Sequence, residues 1–278
     1  MRETTTEPID AALLPRWLTI FIVKARNQRH LRRLWKHRPS LLLAFNIFIK
    51  VKPYENLAEA YALRFVSRHT SIPVPKVHCA FVYKGKTYIV MSKIRGQMLR
   101  NGWLSRPQES KKKILEQLSR MLAELRSVPR PAGVGVSNVN GGPFEDCRLP
   151  SQARRSPYAT TRNFHQALAN DLDPDVEYGN LGPDVAELLC FYRESRHDLV
   201  LTHGDLSSLN ILARGDQVVG IVDWETAGWF PSYWEYTCAK YVNPYNTFWE
   251  QEVDHFLPSL PHELRMESIR RKYFSGDF

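Results

Sequence analysis

Three polar side chains at fixed offsets in the last third of the chain are suited to phosphate chemistry: Asp205, Asn210 and Asp223. Magnesium prefers oxygen ligands of the kind that an amide and a carboxylate supply, and it shares its remaining positions with water and substrate phosphates. A second carboxylate near such an ion can accept the proton of an attacking hydroxyl. The residues therefore predict Asn210 and Asp223 as metal ligands and Asp205 as the catalytic proton acceptor.

Two short apolar runs must bring the amide and the carboxylate together. Residues 211–213 and 218–222 have the composition of strands, and the segment Arg214–Gln217 between them contains the Gly and Asp that suit a tight turn. The open end of such a hairpin places Asn210 and Asp223 side by side. Each polar residue alone has an ordinary interpretation, as a helix cap, a turn residue or a solvated acid, but their combination at these offsets favours a site.

The segment that contains these residues resembles a known catalytic loop. It has the sequence His203-Gly204-Asp205-Leu206-Ser207-Ser208-Leu209-Asn210, followed by Asp223-Trp224-Glu225. The order and spacing resemble the protein-kinase-like fold. The His-Gly-Asp opening and the Asp-Trp-Glu element are more similar to the aminoglycoside phosphotransferase and choline kinase superfamily. The later pattern Ala227-Gly228-Trp229-Phe230-Pro231, with Tyr233-Trp234-Glu235-Tyr236, resembles phosphotransferase-domain proteins of fungi.

The resemblance implies an α+β fold with two lobes. Residues 1–92 are expected to form a small nucleotide-binding lobe, an antiparallel sheet with one helix, in which residues 1–46 are atypical, basic and helical. Residues 93–278 are expected to form a larger, mainly helical lobe that carries the catalytic and acceptor-binding groups. The resemblance also implies that His203 braces the loop and transfers no proton.

A predicted strand followed by a predicted helix supplies a lysine and a glutamate. In the kinase-like fold, a strand lysine binds the nucleotide phosphates and pairs with a glutamate of the following helix. Lys50, in the strand at residues 44–52, and Glu59 match these two places. Lys52, which lies on the same strand face, and Glu55 remain the alternatives.

The segment Met91–Gly96 resembles the hinge between kinase lobes. It follows residues 82–91, which predict a hairpin that turns at Lys84-Gly85. The resemblance implies that backbone groups of the hinge, at Met91 and Lys93, hydrogen-bond the adenine of ATP.

Two further regions of the larger lobe have clear patterns. Ser105-Arg106-Pro107-Gln108 has the form of a capping box, and it is expected to open a long helix that Pro129 ends. The apolar positions of this helix form one stripe: Ile114, Leu115, Leu118, Met121, Leu122 and Leu125. The aromatic residues between 229 and 236 are expected to lie mostly in the core.

The first 46 residues depart from the family pattern. They contain no glycine, although a kinase-like nucleotide site normally has a hairpin, often with glycine, over the phosphates. They predict a basic helix at Leu13–His37 and one strand at Ser40–Phe45 instead.

Charge and composition exclude several classes of protein. Residues 1–94 carry 17 basic and 5 acidic side chains, whereas the rest of the chain carries 21 and 24. The basic run from Lys24 to Arg38 is interpreted as a solvated helix face, so no nucleic-acid partner is expected. The apolar stretch Leu18–Val23 is too short for stable membrane insertion or a secretory signal. Four widely spaced cysteines support neither a disulfide framework nor a metal cluster, which favours the cytoplasm.

These features predict an ATP- and Mg²⁺-dependent kinase that acts on the hydroxyl of a small molecule. The alternative is a kinase-shaped binding or scaffold protein whose glycine-free N-terminus no longer holds ATP. The absence of an Ala-Pro-Glu element after Asp223 disfavours a protein kinase.

Overall fold

A computed structural model describes residues 7–27, 46–144, 146, 149–150, 157–241 and 247–274. The described helices are α1 Leu13–Asn27, α2 Ala58–His69, α3 Gln108–Ser127, α4 Thr161–Leu168, α5 Pro183–Glu194, α6 Trp234–Lys240, α7 Thr247–Val253 and α8 Pro261–Phe274. The described strands are β1 Ile47–Lys52, β2 Val77–Tyr83, β3 Lys86–Ser92, β4 Gln97–Met98, β5 Ser137–Asn138, β6 Leu199–Thr202, β7 Ile211–Arg214, β8 Gln217–Ile221 and β9 Gly228–Pro231.

The N-terminal part is built around an antiparallel sheet with the strand order β1-β3-β2. The β2–β3 hairpin turns at Lys84 and Gly85, as predicted, and both residues have positive φ (49° and 73°). That backbone matches a type I′ turn, whose twist suits a two-residue hairpin. Helix α2 packs against β2 and against the short 3₁₀ helix at Trp224–Thr226 in the C-terminal part. It therefore connects the sheet to the segment that follows Asp223.

Helix α1 covers the outer face of this sheet. Its Ile20 packs with Cys79, Phe81, Tyr88 and Val90 in a separate small core. Just before the helix, Ile9 and Ala80 exchange backbone hydrogen bonds of 2.8 and 2.9 Å, which ties the N-terminal segment to β2. The predicted helix at Leu13–His37 is thus confirmed as far as Asn27. The rest of that helix and the strand predicted at Ser40–Phe45 lie outside the described residues.

The C-terminal part contains two small sheets among helices. The β7–β8 hairpin pairs with β4, and β9 lies between β5 and β6. Helix α3 packs beneath β6 and β8. The architecture confirms the predicted α+β fold with a small sheet-containing part and a larger helical part, while a division at residue 92 stays a prediction.

The apolar stripe predicted for α3 is confirmed. Five of its six positions are buried, and Met121 packs at the edge of the core: Ile114, Leu115, Leu118, Leu122 and Leu125 are the buried ones. The aromatic run is also in the core, with Trp229, Phe230, Tyr233, Trp234 and Tyr236 all at most 2% exposed. The large hydrophobic area that these rings bury accounts for their position.

The capping-box prediction was wrong. Helix α3 begins at Gln108 with Pro107 at its N-cap and no side-chain capping bond. Ser105 instead donates its hydroxyl to the carbonyl oxygen of Gly102, at 3.1 Å. A local turn therefore satisfies this serine before the helix begins, which is the usual competition between turns and caps for a small hydroxyl.

No helix in the described part of the chain combines the length and the apolar character that crossing a lipid bilayer requires.

Candidate active site

The β7–β8 hairpin brings the predicted metal ligands to its open end. Ile211 and Ile221 form the strand pair at the open end of the hairpin. Next to this pair, the N–H of Val222 donates to the carbonyl of Asn210 at 2.9 Å. Asp223, the next residue, has a left-handed backbone (φ 66°, ψ 55°). Aspartate is among the few non-glycine residues that adopt this conformation readily. The reversal at Asp223 ends the strand pairing and leads into the 3₁₀ helix.

Asn210 faces Asp205 through its amide nitrogen. The Nδ2 group donates to the backbone carbonyl of Asp205 at 2.8 Å and to its carboxylate Oδ2 at 2.9 Å. Because an amide is planar, its Oδ1 acceptor points to the opposite side from Nδ2. The contact fixes both the position of the Asp205 carboxylate and the direction of the Asn210 oxygen.

His203 braces the loop from inside, as the sequence implied. Its Nδ1 accepts from the N–H of Asp205 at 3.1 Å, and its Nε2–H donates to the carbonyl of Val222 at 3.0 Å. The ring is fully buried and lies against Trp224. One imidazole therefore links the catalytic loop to the strand that ends at Asp223, and both its nitrogens are used in doing so.

A buried carboxylate holds the same loop from the other side. Glu235, on α6, accepts the backbone N–H groups of His203 at 2.6 Å and Gly204 at 3.1 Å. Gly204 has a φ of 80°, and a Cβ there would lie 3.0 Å from the carbonyl oxygen of Thr226. This left-handed, crowded position requires glycine. Glu235 thus stabilises a turn that requires glycine at position 204.

Lys50 connects the sheet to the end of the hairpin. Its Nζ lies 2.8 Å from Glu59 of α2 and 2.6 Å from Asp223. Lys52, two residues later on the same face of β1, lies 2.6 Å from Glu59 and 2.6 Å from Glu225. The two lysines share the buried carboxylate of Glu59, which is 2% exposed.

The electrostatics of this network favour charged lysines. Burial lowers the pKa of Lys50, but the Glu59 and Asp223 carboxylates outweigh that effect and raise the pKa above its ordinary value. Burial likewise lowers the pKa of Lys52, and Glu59 and Glu225 raise it overall. Oxygens of Glu59, Asp223 and Glu225 all lie within 4.8 Å of one another, so the lysines also offset repulsion between three acids.

A cavity of about 680 Å³ opens beside Lys50. Its polar end contains Lys50, Glu59, Asn210 and Asp223, and its other end is formed by the segment Met91–Gln97 except Arg95. Apolar side chains make up most of the remaining wall: Phe48, Leu63, Met98, Leu209, Leu212 and Val222. A cavity of this size, apolar with a few convergent charged groups, is typical of a site for a cofactor-sized ligand.

The hinge backbone is partly used within the chain. The N–H of Lys93 donates to the carbonyl of Asn46 at 2.7 Å, and the N–H of Ser92 donates to the carbonyl of Lys76 at 2.8 Å. Met91 and Lys93 both line the cavity. A ligand that uses the Lys93 amide would therefore have to displace the carbonyl of Asn46.

The donor set at the hairpin end fits magnesium. An amide oxygen directed away from Asp205 and the Asp223 carboxylate, which is 38% exposed on its side chain, border the same cavity. Both are hard oxygen donors, and the accessible carboxylate leaves room for waters and phosphate oxygens. In this structure the Lys50 ammonium, 2.6 Å from Asp223, balances the charge of that carboxylate.

Comparison with known proteins identifies this arrangement. A family model described as "Phosphotransferase enzyme family" matches residues 47–264, which is more than three quarters of the chain. The chain belongs to the phosphotransferase enzyme family. The matched range begins at β1 and includes every site residue described above. The family explains why the hairpin, the loop at His203 and the lysine strand occur together.

A curated relative and several solved structures are similar to this family member. An aminoglycoside 3'-phosphotransferase of Niallia circulans is 24% identical over 157 residues, which span 56% of this chain and 53% of the relative. The chain thus matches about half the length of that relative. The crystal structure of the aminoglycoside phosphotransferase APH(4)-Ia has a TM-score of 0.57 at 19% identity, over 82% of this chain and 76% of the other.

A thermostable APH(4)-Ia variant solved as a ternary complex with ADP and hygromycin B has a TM-score of 0.54 at 18% identity, over 82% and 75% of the two chains. At these identities the likeness establishes the fold, and it agrees with the resemblance found in the sequence.

The structure brings most of the predicted site residues of this phosphotransferase-family chain to one cavity. Lys50, Glu59, Asn210 and Asp223 line it, and Asp205 is bonded to Asn210. Glu55, the alternative to Glu59, takes no part in the lysine network, whereas Lys52 does.

Sequence reasoning gave no role to Glu225 or Glu235. An acid within the buried run Tyr233–Tyr236 was a usable signal, because an unpartnered buried carboxylate is costly.

Proposed function

We propose that the protein is an ATP-dependent kinase that moves the γ-phosphate of ATP to a hydroxyl of a small molecule. The observation that carries the proposal is the contact of Lys50 with both Glu59 and Asp223 at the polar end of a cavity that also contains Asn210. A lysine, an acid on a helix and a metal-binding pair are the parts that phosphoryl transfer needs.

Each residue has a distinct role in this proposal. Asp205 accepts the proton of the acceptor hydroxyl, and its hydrogen bond to Asn210 holds the carboxylate in place. Asn210 and Asp223 would hold Mg²⁺, which neutralises charge on the phosphate oxygens. Lys50 moves from Asp223 to the phosphates while Glu59 positions it. Backbone groups near Met91 and Lys93 bind the adenine, against apolar walls that suit a flat ring.

The nature of the acceptor is supported by the relatives. The names of the similar proteins describe aminoglycoside phosphotransferases, and one of them was crystallised with hygromycin B. Such compounds carry several hydroxyl groups, which supports a small hydroxylated acceptor for this chain as well. We place the reaction in the cytoplasm, where ATP is available.

A second candidate is a kinase-shaped binding or scaffold protein. The observation that favours it is the lack of glycine in residues 1–46, because glycine lets a loop approach phosphates closely. The polar groups at the cavity favour the enzyme, since catalysis of phosphoryl transfer rests on positioning and electrostatics. A scaffold does not require a proton acceptor bonded to a metal ligand.

Binding and turnover of ATP separate the two candidates. Thermal unfolding is measured with increasing Mg·ATP, and a concentration a hundredfold above the dissociation constant should stabilise the fold by about 2.7 kcal/mol. ADP release is then measured with a panel of hydroxylated metabolites that includes aminoglycosides. Stabilisation with acceptor-dependent ADP release supports the kinase. No thermal shift at millimolar Mg·ATP supports the scaffold.

A further inference from the structure

Lys52 is a second, deeper cation in the lysine network. It is 5% exposed, and its Nζ lies 2.6 Å from Glu59 and 2.6 Å from Glu225. Side chains alternate along a strand, so Lys50 and Lys52 leave β1 on the same face. The two differ in position, because Lys50 lines the cavity and Lys52 does not.

Glu59 depends on these two lysines for its charge balance. Its side chain is 2% exposed, and among the residues that the structure describes its cation partners are Lys50 at 2.8 Å and Lys52 at 2.6 Å. A buried carboxylate that loses its partner costs free energy, which the protein avoids by keeping a cation nearby. With Lys50 alone as partner, Glu59 would hold that lysine more strongly, and a phosphate would attract it less.

The proposed function requires Lys50 to shift its charge toward phosphate. Lys50 has the more exposed side chain of the two, at 26% against 6% for Lys52, and it already extends toward Asp223. Lys52 is enclosed between an acid of α2 and an acid that follows Asp223. Lys50 is therefore placed to extend toward a phosphate, whereas Lys52 is held in position by its two carboxylate partners.

We propose that Lys52 is a positioning residue that shares the charge of Glu59, so that Lys50, while still paired with Glu59, can also bind the nucleotide phosphates. This inference rests on the proposed function and adds a residue to it. Lys52 touches no substrate in this scheme and acts only through Glu59. Its removal should leave Lys50 bound more firmly to Glu59 and should weaken the affinity for Mg·ATP.

The test is a double-mutant cycle on Mg·ATP affinity, measured by isothermal titration calorimetry. We expect Lys52→Met to weaken binding about tenfold in the wild-type background, because a buried charge pair is broken. In a Glu59→Gln background the same change should alter affinity by less than about threefold, since no buried carboxylate then retains Lys50. Lys86→Met serves as the control, because Lys86 is an exposed lysine of the same sheet outside the network.

The outcomes separate this inference from the proposed function. Equal affinity of wild type and Lys52→Met, or an equal loss in both backgrounds, overturns the role of Lys52 while the kinase proposal stands. Absence of Mg·ATP binding by the wild type overturns both. A merely structural role would lower stability without the dependence on Glu59.

If the Lys52→Met variant does not fold, the inference can be tested on the wild-type protein by NMR. The ¹⁵N resonances of the two side-chain ammonium groups are recorded before and after addition of Mg²⁺ and a non-hydrolysable ATP analogue, with Lys50→Met used to distinguish them. We expect the Lys50 resonance to shift and the Lys52 resonance to stay. A Lys52 resonance that shifts as much as that of Lys50 contradicts the inference.

Discussion

The carboxylate of Glu235 lies 2.6 Å from the backbone nitrogen of His203, and both residues are buried. Its second oxygen accepts the N–H of Gly204 at 3.1 Å. One side chain of α6 thus satisfies two consecutive backbone donors of the loop that carries Asp205. Glu235 therefore fixes the loop at His203 to helix α6, and its substitution tests how much this link contributes to stability.

Replacing Glu235 by Gln should destabilise the fold. A glutamine amide offers one acceptor oxygen, so one of the two buried N–H groups loses its partner. We expect the free energy of unfolding to fall by about 1–3 kcal/mol. Urea denaturation measures this, and Glu250→Gln, an exposed acid of α7, is the control. Equal stabilities of the two variants would show that the carboxylate is not needed.

Replacing Asp205 by Asn should remove turnover and keep nucleotide binding. The amide cannot accept a proton from the acceptor hydroxyl, whereas the cavity beside Lys50 is unchanged. We expect the turnover rate to fall by about a hundredfold or more. Calorimetry with Mg·ATP and an assay of ADP release measure the two properties on one sample. Wild-type turnover in Asp205→Asn would exclude this residue as the base.

Replacing Asp223 by Ala should make ATP affinity independent of magnesium. The carboxylate is one of the two proposed metal ligands, and Lys50 also loses a partner at 2.6 Å. ATP titrations with Mg²⁺ and with a chelator should then give the same dissociation constant. Asp216→Ala is the matched control, because Asp216 lies at the turn of the same hairpin. A magnesium effect that persists in Asp223→Ala would place the metal elsewhere.

Acid should destabilise the protein through His165. Burial lowers the pKa of this histidine to about 3, compared with an ordinary value near 6.5, and its Nε2 contacts the hydroxyl of Tyr233 at 2.8 Å. Between these pH values the unfolded chain binds a proton that the folded chain does not. Stability contributed by the neutral ring is therefore present above about pH 6.5 and is lost as the pH falls toward 3.

The variant His165→Phe should reduce this dependence. Urea denaturation at pH 7 and pH 5 gives two free energies of unfolding, and their difference should be smaller in the variant than in the wild type. His255→Phe, at an exposed position, should keep the wild-type difference. An unchanged difference in His165→Phe would show that other groups control the acid response.

Local patterns predicted the elements of this protein well. Short apolar runs gave the strands of the β7–β8 hairpin, glycine placed the turn at Lys84-Gly85, and helical spacing gave the buried stripe of α3. These properties depend on neighbours a few residues apart. The predicted cap at Ser105 was wrong because the serine hydroxyl can bond either to the preceding turn or to the helix N-terminus, and the free energies of the two arrangements differ little.

Side-chain partners across the fold were harder to predict. Strand alternation placed Lys50 and Lys52 on one face of β1, so either could be the phosphate-binding lysine. Alternation gave no information about which of the two side chains is more deeply buried. In helix α2, Leu63 and Val66 are fully buried, whereas Tyr61 and Phe65 pack at the edge of the core. Packing against the 3₁₀ helix at Trp224–Thr226 sets which face of α2 turns inward.

The sequence by itself determined the chemical groups and the elements that carry them: an acid, an amide and a second acid around one hairpin, and a lysine strand before a helix. Tertiary structure alone decided that Glu59 is shared by two lysines and that Glu235 holds the loop. The physical reason is that covalent spacing fixes local geometry, whereas partners far apart in the chain are selected by burial, because each buried charge and N–H group must find a partner once water is excluded.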